Sequence, residues 1–207
     1  MGRLAGKKNV VLGVTGASGV IFARRTLQML DADARVGEIH LVISGSGLKV
    51  LRDELDLDVS KSARIPAALA GGSTRKTRYL LDSDIGACIA SGSYPVDAMV
   101  VIPCTTGCLG QIASGIASTL IERAADVCLK EGRKLVLAVR DAPFNRIHLE
   151  NMLRAQSAGA VIFPIIPSFY HRPKTLDDLV TQFCCRVLAH LDLAQARQYQ
   201  WKGEKKF

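Results

Sequence analysis

The apolar runs KNVVLGV (8–14), EIHLVIS (38–44), AMVVIPC (98–104) and KLVLAV (134–139) are rich in β-branched residues and do not alternate with polar ones. A strand that is apolar on both faces must be covered on both, which is the situation of a parallel sheet between layers of helix. Helical periodicity fills the gaps over 18–30, 48–55, 119–130, 147–157 and 176–191, and a shorter run, AVIFP (160–164), precedes the last helix. This alternation predicts an α/β fold whose strand ends share one ligand-binding edge. The 207 residues suffice for one such domain. Residues 1–194 are assigned to it, and 195–207, polar with the chain's one Trp, to a C-terminal arm. Periodicity weakens over 59–77, and the small, polar, basic AGGSTRKTR (70–78) reads as a loop.

The formal net charge of +8 points to an acidic partner. The basic residues are scattered, with no basic-plus-aromatic module, so nucleic acid is excluded in favour of a small phosphorylated molecule. Six cysteines include one spaced pair, Cys104 and Cys108, with no second pair or nearby His to complete a metal site. Free thiols, no signal peptide and no span-length apolar segment predict a cytoplasmic protein away from membranes.

The turn GVTGASG (13–19) lies between the first strand and the first helix. Its glycines admit a phosphate close to the backbone, and the helix N-terminus behind it favours negative charge. An NAD(P) dehydrogenase is one reading, and Tyr170 and Lys174 have the matching spacing. Pro173 breaks the helix that such a pair needs, and Ser44 stands where an acidic ribose ligand belongs. A mononucleotide fits better, with the Thr15, Ser18 and Ser44 hydroxyls at strand ends. PCTTGCLG (103–110) adds Thr105 and Thr106 at a later strand end, Thr105 also serving as a helix N-cap. A ligand-free tight turn is the remaining alternative.

The cations that suit an anion site lie in the second half. Arg123 and Lys130 share a helix face, with Asp126 placed to pair along it. Arg140 and Asp141 leave a buried strand at the ligand edge, where two ions need partners. His148 reads as a structural hydrogen-bonding group, Thr175 as an N-cap, and Arg186 as a cation among apolar residues of the last helix.

Taken in order, VTGASG, SGS (91–93), MVVIPC-TTG-L, LIERAADV-LKE, R-AP---IHLENML and GAVI-P--P-FYH-P resemble the UbiX-type flavin prenyltransferases of the flavoprotein superfamily over residues 9–191. The resemblance implies a Rossmann-like (flavodoxin-like) three-layer sandwich and a metal-independent prenyltransferase. Such an enzyme joins a dimethylallyl group from dimethylallyl phosphate to N5 and C6 of reduced FMN. It implies a homododecamer with active sites at subunit contacts, and a UbiD-type decarboxylase as recipient of the product. By motif, Gly16, Ala17, Ser18, Ser44, Thr105, Thr106, Gly107, Cys108 and Arg140 would line the flavin. Ser91, Lys130, Tyr170 and Arg186 would hold dimethylallyl phosphate, with Arg123 from a neighbouring subunit. Glu54 and Asp141 would be the catalytic carboxylates beside Lys130 and Arg123, and Trp201 would help close the pocket. Asp141 departs from the family's usual Glu, Cys108 from a usual Thr and Gly132 from a common basic residue. The shorter Asp141 leaves open a protein of the same fold that binds or delivers flavin without catalysis. An FMN-dependent cysteine decarboxylase is disfavoured, because its Pro-x-Met-Asn-x-x-Met-Trp signature is missing.

Overall fold

The computed structural model describes residues 6–201 and 203, so five N-terminal residues and part of the expected arm lie outside the described residues. Six parallel strands form one sheet: β1 (Lys8–Val14), β2 (Val36–Ile43), β3 (Thr77–Leu81), β4 (Ala98–Cys104), β5 (Lys134–Val139) and β6 (Val161–Ile162), ordered 3-2-1-4-5-6. Among the described residues the helices are α1 (Val20–Ala32), α2 (Gly45–Leu55), α3 (Ile65–Ala70), α4 (Thr106–Ala113), α5 (Leu120–Lys130), α6 (Arg146–Ser157) and α7 (Leu176–Ala189).

Strand β1 explains why its sequence is apolar throughout. Val10, Leu12 and Val14 belong to the core shared with α1 and α7, while Val11 belongs to the opposite core shared with α4, α5 and α6. Successive side chains point to opposite faces, so both sets must be apolar. Each large aliphatic side chain with no exposed surface, such as Leu12, Leu27 or Leu41, contributes about 1.5–3 kcal/mol of hydrophobic burial. Among the described residues no helix is long and apolar enough to cross a membrane.

Several boundaries differ from the sequence reading, each for a local reason. Helix α1 starts at Val20 rather than at residue 18 because Gly19, at φ 103°, is left-handed and serves as N-cap. Helix α2 begins at Gly45 because the Ser44 hydroxyl caps it. The weakly patterned stretch 59–77 contains α3, with a Pro in its first turn, and the loop expected over 70–78 ends by entering the edge strand β3. Only Leu80 of β3 is fully buried, so its sequence TRYLL carries little hydrophobic signal. Pro173 prevents a helix over 170–174: Arg172 before it takes φ 51°, and α7 waits until Thr175 caps it.

All six cysteines are free, and Cys184 and Cys185 are both buried. Beyond α7 the chain packs back on the domain. Gln195 donates to the Asp33 carboxylate at 2.9 Å, and Gln182 donates to the Arg197 carbonyl while accepting the Tyr199 N–H.

Candidate active site

The strand order reverses between β1 and β4, so the connections leaving these strands diverge and open a crevice at the carboxyl edge. The turns after β1, β2, β4 and β5 meet there. Gly16 and Ser46 touch closely: a Cβ on Gly16 would lie 2.4 Å from the Ser46 Cβ and 3.0 Å from its backbone carbon. Gly16 is therefore required by the approach of the second loop. The Ser44 Oγ accepts the Gly47 N–H at 3.0 Å and lies 3.0 Å from the Ser46 Oγ, which puts two hydroxyls in the first turn of α2. Ser46 escaped the sequence reading; its signal is the SGSG run directly after a buried strand. Ala17 is buried and Ser18 exposed. Thr105 caps α4 by accepting the Cys108 N–H at 3.1 Å, and a Cβ on Gly107 would meet only the Thr105 Oγ1, at 4.0 Å.

Two expectations change at this edge. The N-terminus of α1 is not open to a phosphate. The Glu54 carboxylate, from the end of α2, accepts the Gly19 N–H at 2.9 Å and the Val20 N–H at 3.1 Å. A fixed side-chain anion thus occupies the favourable end of the helix dipole. The Thr15 hydroxyl, expected to reach a ligand, is 3% exposed and fully committed within the protein. It donates to the Pro103 carbonyl at 2.8 Å and accepts the Thr105 N–H at 2.8 Å.

Arg140 and Asp141 do not pair with each other. Arg140 is exposed and makes no ion pair among the described residues. Asp141 accepts from the Thr106 hydroxyl at 3.1 Å and from the Ala142 N–H at 2.9 Å, tying the turn after β4 to the turn after β5. A cavity of about 300 Å³ lined by Arg140, Asp141, Phe144 and Ile165 opens beside them. Cys108 turns its thiol into the core rather than the crevice. The neighbouring Cys104 sulfur and burial hold that thiol well above its ordinary range.

The remaining cations stand apart. Helix α5 runs back along the sheet for 11 residues, about 15 Å, so Lys130 ends near the start of β5. There Lys130 pairs with Glu131 at 3.0 Å, while Arg133 donates to the Gly92 carbonyl. Arg123 donates to the Ala90 carbonyl at 3.1 Å and pairs with Asp126 at 2.8 Å. The Ser91 and Ser93 hydroxyls meet at 2.9 Å in the same segment. Tyr170 and Trp201 form another group, ring against ring at 5.8 Å, and are 73% and 67% exposed. The Arg186 guanidinium lies over the Phe163 ring at 5.4 Å. One chain therefore brings most of the residues expected to line the flavin, with Glu54 and Asp141, to its carboxyl edge, and holds Arg123 and Lys130 on α5.

The flavoprotein family model matches residues 2–186. The flavin prenyltransferase UbiX of Pseudomonas aeruginosa is 41% identical over 98% of this chain and 97% of its own length. The chain belongs to the flavoprotein family, among the UbiX-type flavin prenyltransferases. A UbiX protein of this family, crystallised with FMN and dimethylallyl pyrophosphate, superposes with a TM-score of 0.85 at 37% identity, covering 96% of this chain and all of its own. A dodecameric FMN-dependent UbiX-like decarboxylase from Escherichia coli O157:H7 gives 0.82 at 40% identity, covering 94% of this chain and all of its own.

FMN, bound in the UbiX relative, consists of a phosphate, a polyol chain and a flat ring. The donors present suit that ligand. Ser44 and Ser46 offer hydroxyls at a helix start, and Arg140 is an exposed cation with no ion pair among the described residues. No group of three or more metal-ligating His, Cys, Asp or Glu side chains occurs among the described residues.

Proposed function

We propose that the protein transfers a dimethylallyl group from dimethylallyl phosphate to reduced FMN. The prenylated flavin would be consumed by a UbiD-type decarboxylase. The observation that carries this reading is the crevice across β1 and β4, whose hydroxyls and exposed Arg140 suit a flavin phosphate and chain. The near full-length likeness to a UbiX protein holding FMN and dimethylallyl pyrophosphate supports it.

When bound, reduced FMN supplies the nucleophilic N5 and C6 of its ring. Ser44 and Ser46 then receive its phosphate at the start of α2, and Arg140 adds a positive charge. Thr105, Thr106 and Gly107 flank the ring side, with Asp141 fixing the Thr106 hydroxyl. Departure of the allylic phosphate leaves negative charge, which cations stabilise best where water is excluded. Lys130, Arg123, Ser91, Tyr170 and Arg186 are assigned to that phosphate. They lie on separate elements of one chain, so the site is assigned to a contact between copies; one relative is dodecameric, and Tyr170 and Trp201 are exposed. Glu54, held by two backbone N–H groups, is the carboxylate assigned to proton movement. A reducing cytoplasm suits the six free thiols.

One observation favours a second reading, a flavin carrier without catalysis. Asp141 spends both carboxylate oxygens on Thr106 and Ala142 rather than on a ligand. Anaerobic incubation with reduced FMN and dimethylallyl phosphate, followed by mass spectrometry of the released flavin, separates the two. A flavin heavier by one C5 unit is the expected product. Flavin bound but unmodified sinks the catalytic reading and leaves the carrier.

A further inference from the structure

Of the three seams that meet at the crevice, one is closed unlike the other two. Between β1 and β2 the closing bond is backbone to backbone, from the Ser44 N–H to the Val14 carbonyl at 3.0 Å. Between β4 and β5 it is again backbone, from the Arg140 N–H to the Cys104 carbonyl at 3.0 Å. The seam between β1 and β4 is the one where the strand order reverses. Its paired register runs through Gly13 and Val101, and Pro103 then has no N–H to offer. The Thr15 N–H still reaches the Pro103 carbonyl at 3.1 Å. The Thr105 N–H has no β1 carbonyl to meet, and a side chain takes it instead.

That side chain is Thr15, whose hydroxyl accepts from Thr105 and donates to Pro103, each at 2.8 Å. The hydroxyl thus replaces the missing rung of the ladder. It joins the turn that carries Gly16 and Ala17 to the turn that carries Thr105, Thr106 and Gly107. Thr105 then uses its own hydroxyl to cap α4, so the orientation of α4 follows from where Thr15 holds Thr105. The group is buried, and deleting its oxygen leaves an N–H without a partner across the crevice floor.

We propose that Thr15 is a positioning residue for flavin: its hydroxyl sets the spacing of the two turns that flank the ligand, without touching the ligand itself. This rests on the flavin reading above. The side-chain bonds across the seam both come from the oxygen, so the effect is assigned to it rather than to bulk or β-branching. Valine matches the shape of threonine and lacks the oxygen, whereas serine keeps the oxygen and lacks the methyl.

The test compares the wild type, Thr15→Val and Thr15→Ser in FMN titrations, following the visible absorption of the bound flavin and the thermal midpoint of each protein. Thr15→Val is expected to weaken FMN binding about tenfold, the scale of one buried hydrogen-bond partner lost, and to move the bound-flavin spectrum toward that of free FMN. Thr15→Ser is expected to restore both to within about twofold, since it keeps both hydrogen bonds. Wild-type affinity and spectrum in Thr15→Val overturn the proposal. So does equal impairment in Thr15→Ser, which would place the effect in the methyl group, and so does a lowered midpoint with unchanged affinity. Should Thr15→Val not fold, Thr15→Ala takes its place under the same criteria. Wild-type protein that takes up no FMN overturns the flavin reading itself, and this inference with it.

Discussion

Removing the Glu54 side chain tests a contact that joins stability to chemistry. Helix α1 starts at a glycine that offers no side-chain cap, so its first N–H groups depend on a carboxylate 35 residues away in sequence. Glu54→Ala strands the Gly19 and Val20 N–H groups, whose bonds to the carboxylate are 2.9 and 3.1 Å. The loss of an N-cap costs about 1 kcal/mol, and because Glu54 is exposed the charge–dipole part lies at the low end, a few tenths. For a chain of this size about 1 kcal/mol lowers the thermal midpoint by about 2–4 °C. Glu54→Gln keeps an oxygen acceptor and loses only charge, so its midpoint should fall by about 1–2 °C. Thermal unfolding followed by far-ultraviolet circular dichroism measures both shifts. An unshifted Glu54→Ala, or a Glu54→Gln as destabilised as the alanine, refutes the capping argument. Turnover measured on the same samples then separates roles. A glutamine variant with a nearly intact midpoint and a collapsed rate assigns the carboxylate to the reaction as well as to the helix.

Gly16→Ala puts a carbon within 2.4 Å of the Ser46 Cβ, so it should weaken FMN binding and cost about 1–3 kcal/mol in urea unfolding; adding Ser46→Gly should recover part of both, and no recovery would argue against steric contact. The Arg35 guanidinium, bonded to Asp33 at 2.6 and 2.9 Å, holds the Asp33 carboxyl down at about 2. That depressed value means its stabilisation, about 2 kcal/mol, is full above pH 3.8 and is lost as the pH falls toward 2. Asp33→Asn should remove that much at pH 7 and flatten the acid limb; an unchanged urea midpoint would contradict the pairing. His40 has no exposed surface, and burial lowers its pKa despite Glu38 at 3.7 Å, with Arg78 adding to the effect and the Tyr94 hydroxyl at 3.3 Å. Keeping this ring neutral contributes stability that is full above pH 6.5 and is lost as the pH falls below it. The urea midpoint should therefore drop between pH 7.5 and 5.5 in the wild type and much less in His40→Gln, and parallel slopes would exclude His40 as the source.

Much of the fold is legible in the chain because a parallel sheet demands apolar residues on both faces. The runs at 8–14, 98–104 and 134–139 meet that demand and become β1, β4 and β5 within the stated bounds. Strand β3 was not legible, since an edge strand covered on one side needs only Leu80 in the core. The capping hydroxyls of Ser44, Thr105 and Thr175 act within three residues of themselves, and local sequence suffices for such short reach. What local sequence cannot specify is which distant group meets a given N–H. The glycine turn invites an anion, and it took the folded chain to bring Glu54 to Gly19 and so fill that place from within. Thr15 is likewise an ordinary strand-end hydroxyl until β1 and β4 lie side by side and bring the Thr105 N–H and the Pro103 carbonyl to it. Motif order in the sequence thus determined the sheet, the family and most of the crevice. The tertiary structure alone decided which polar groups are spent holding the crevice in shape and which are left for a ligand, because each donor and acceptor is settled only when its partner arrives across the sheet.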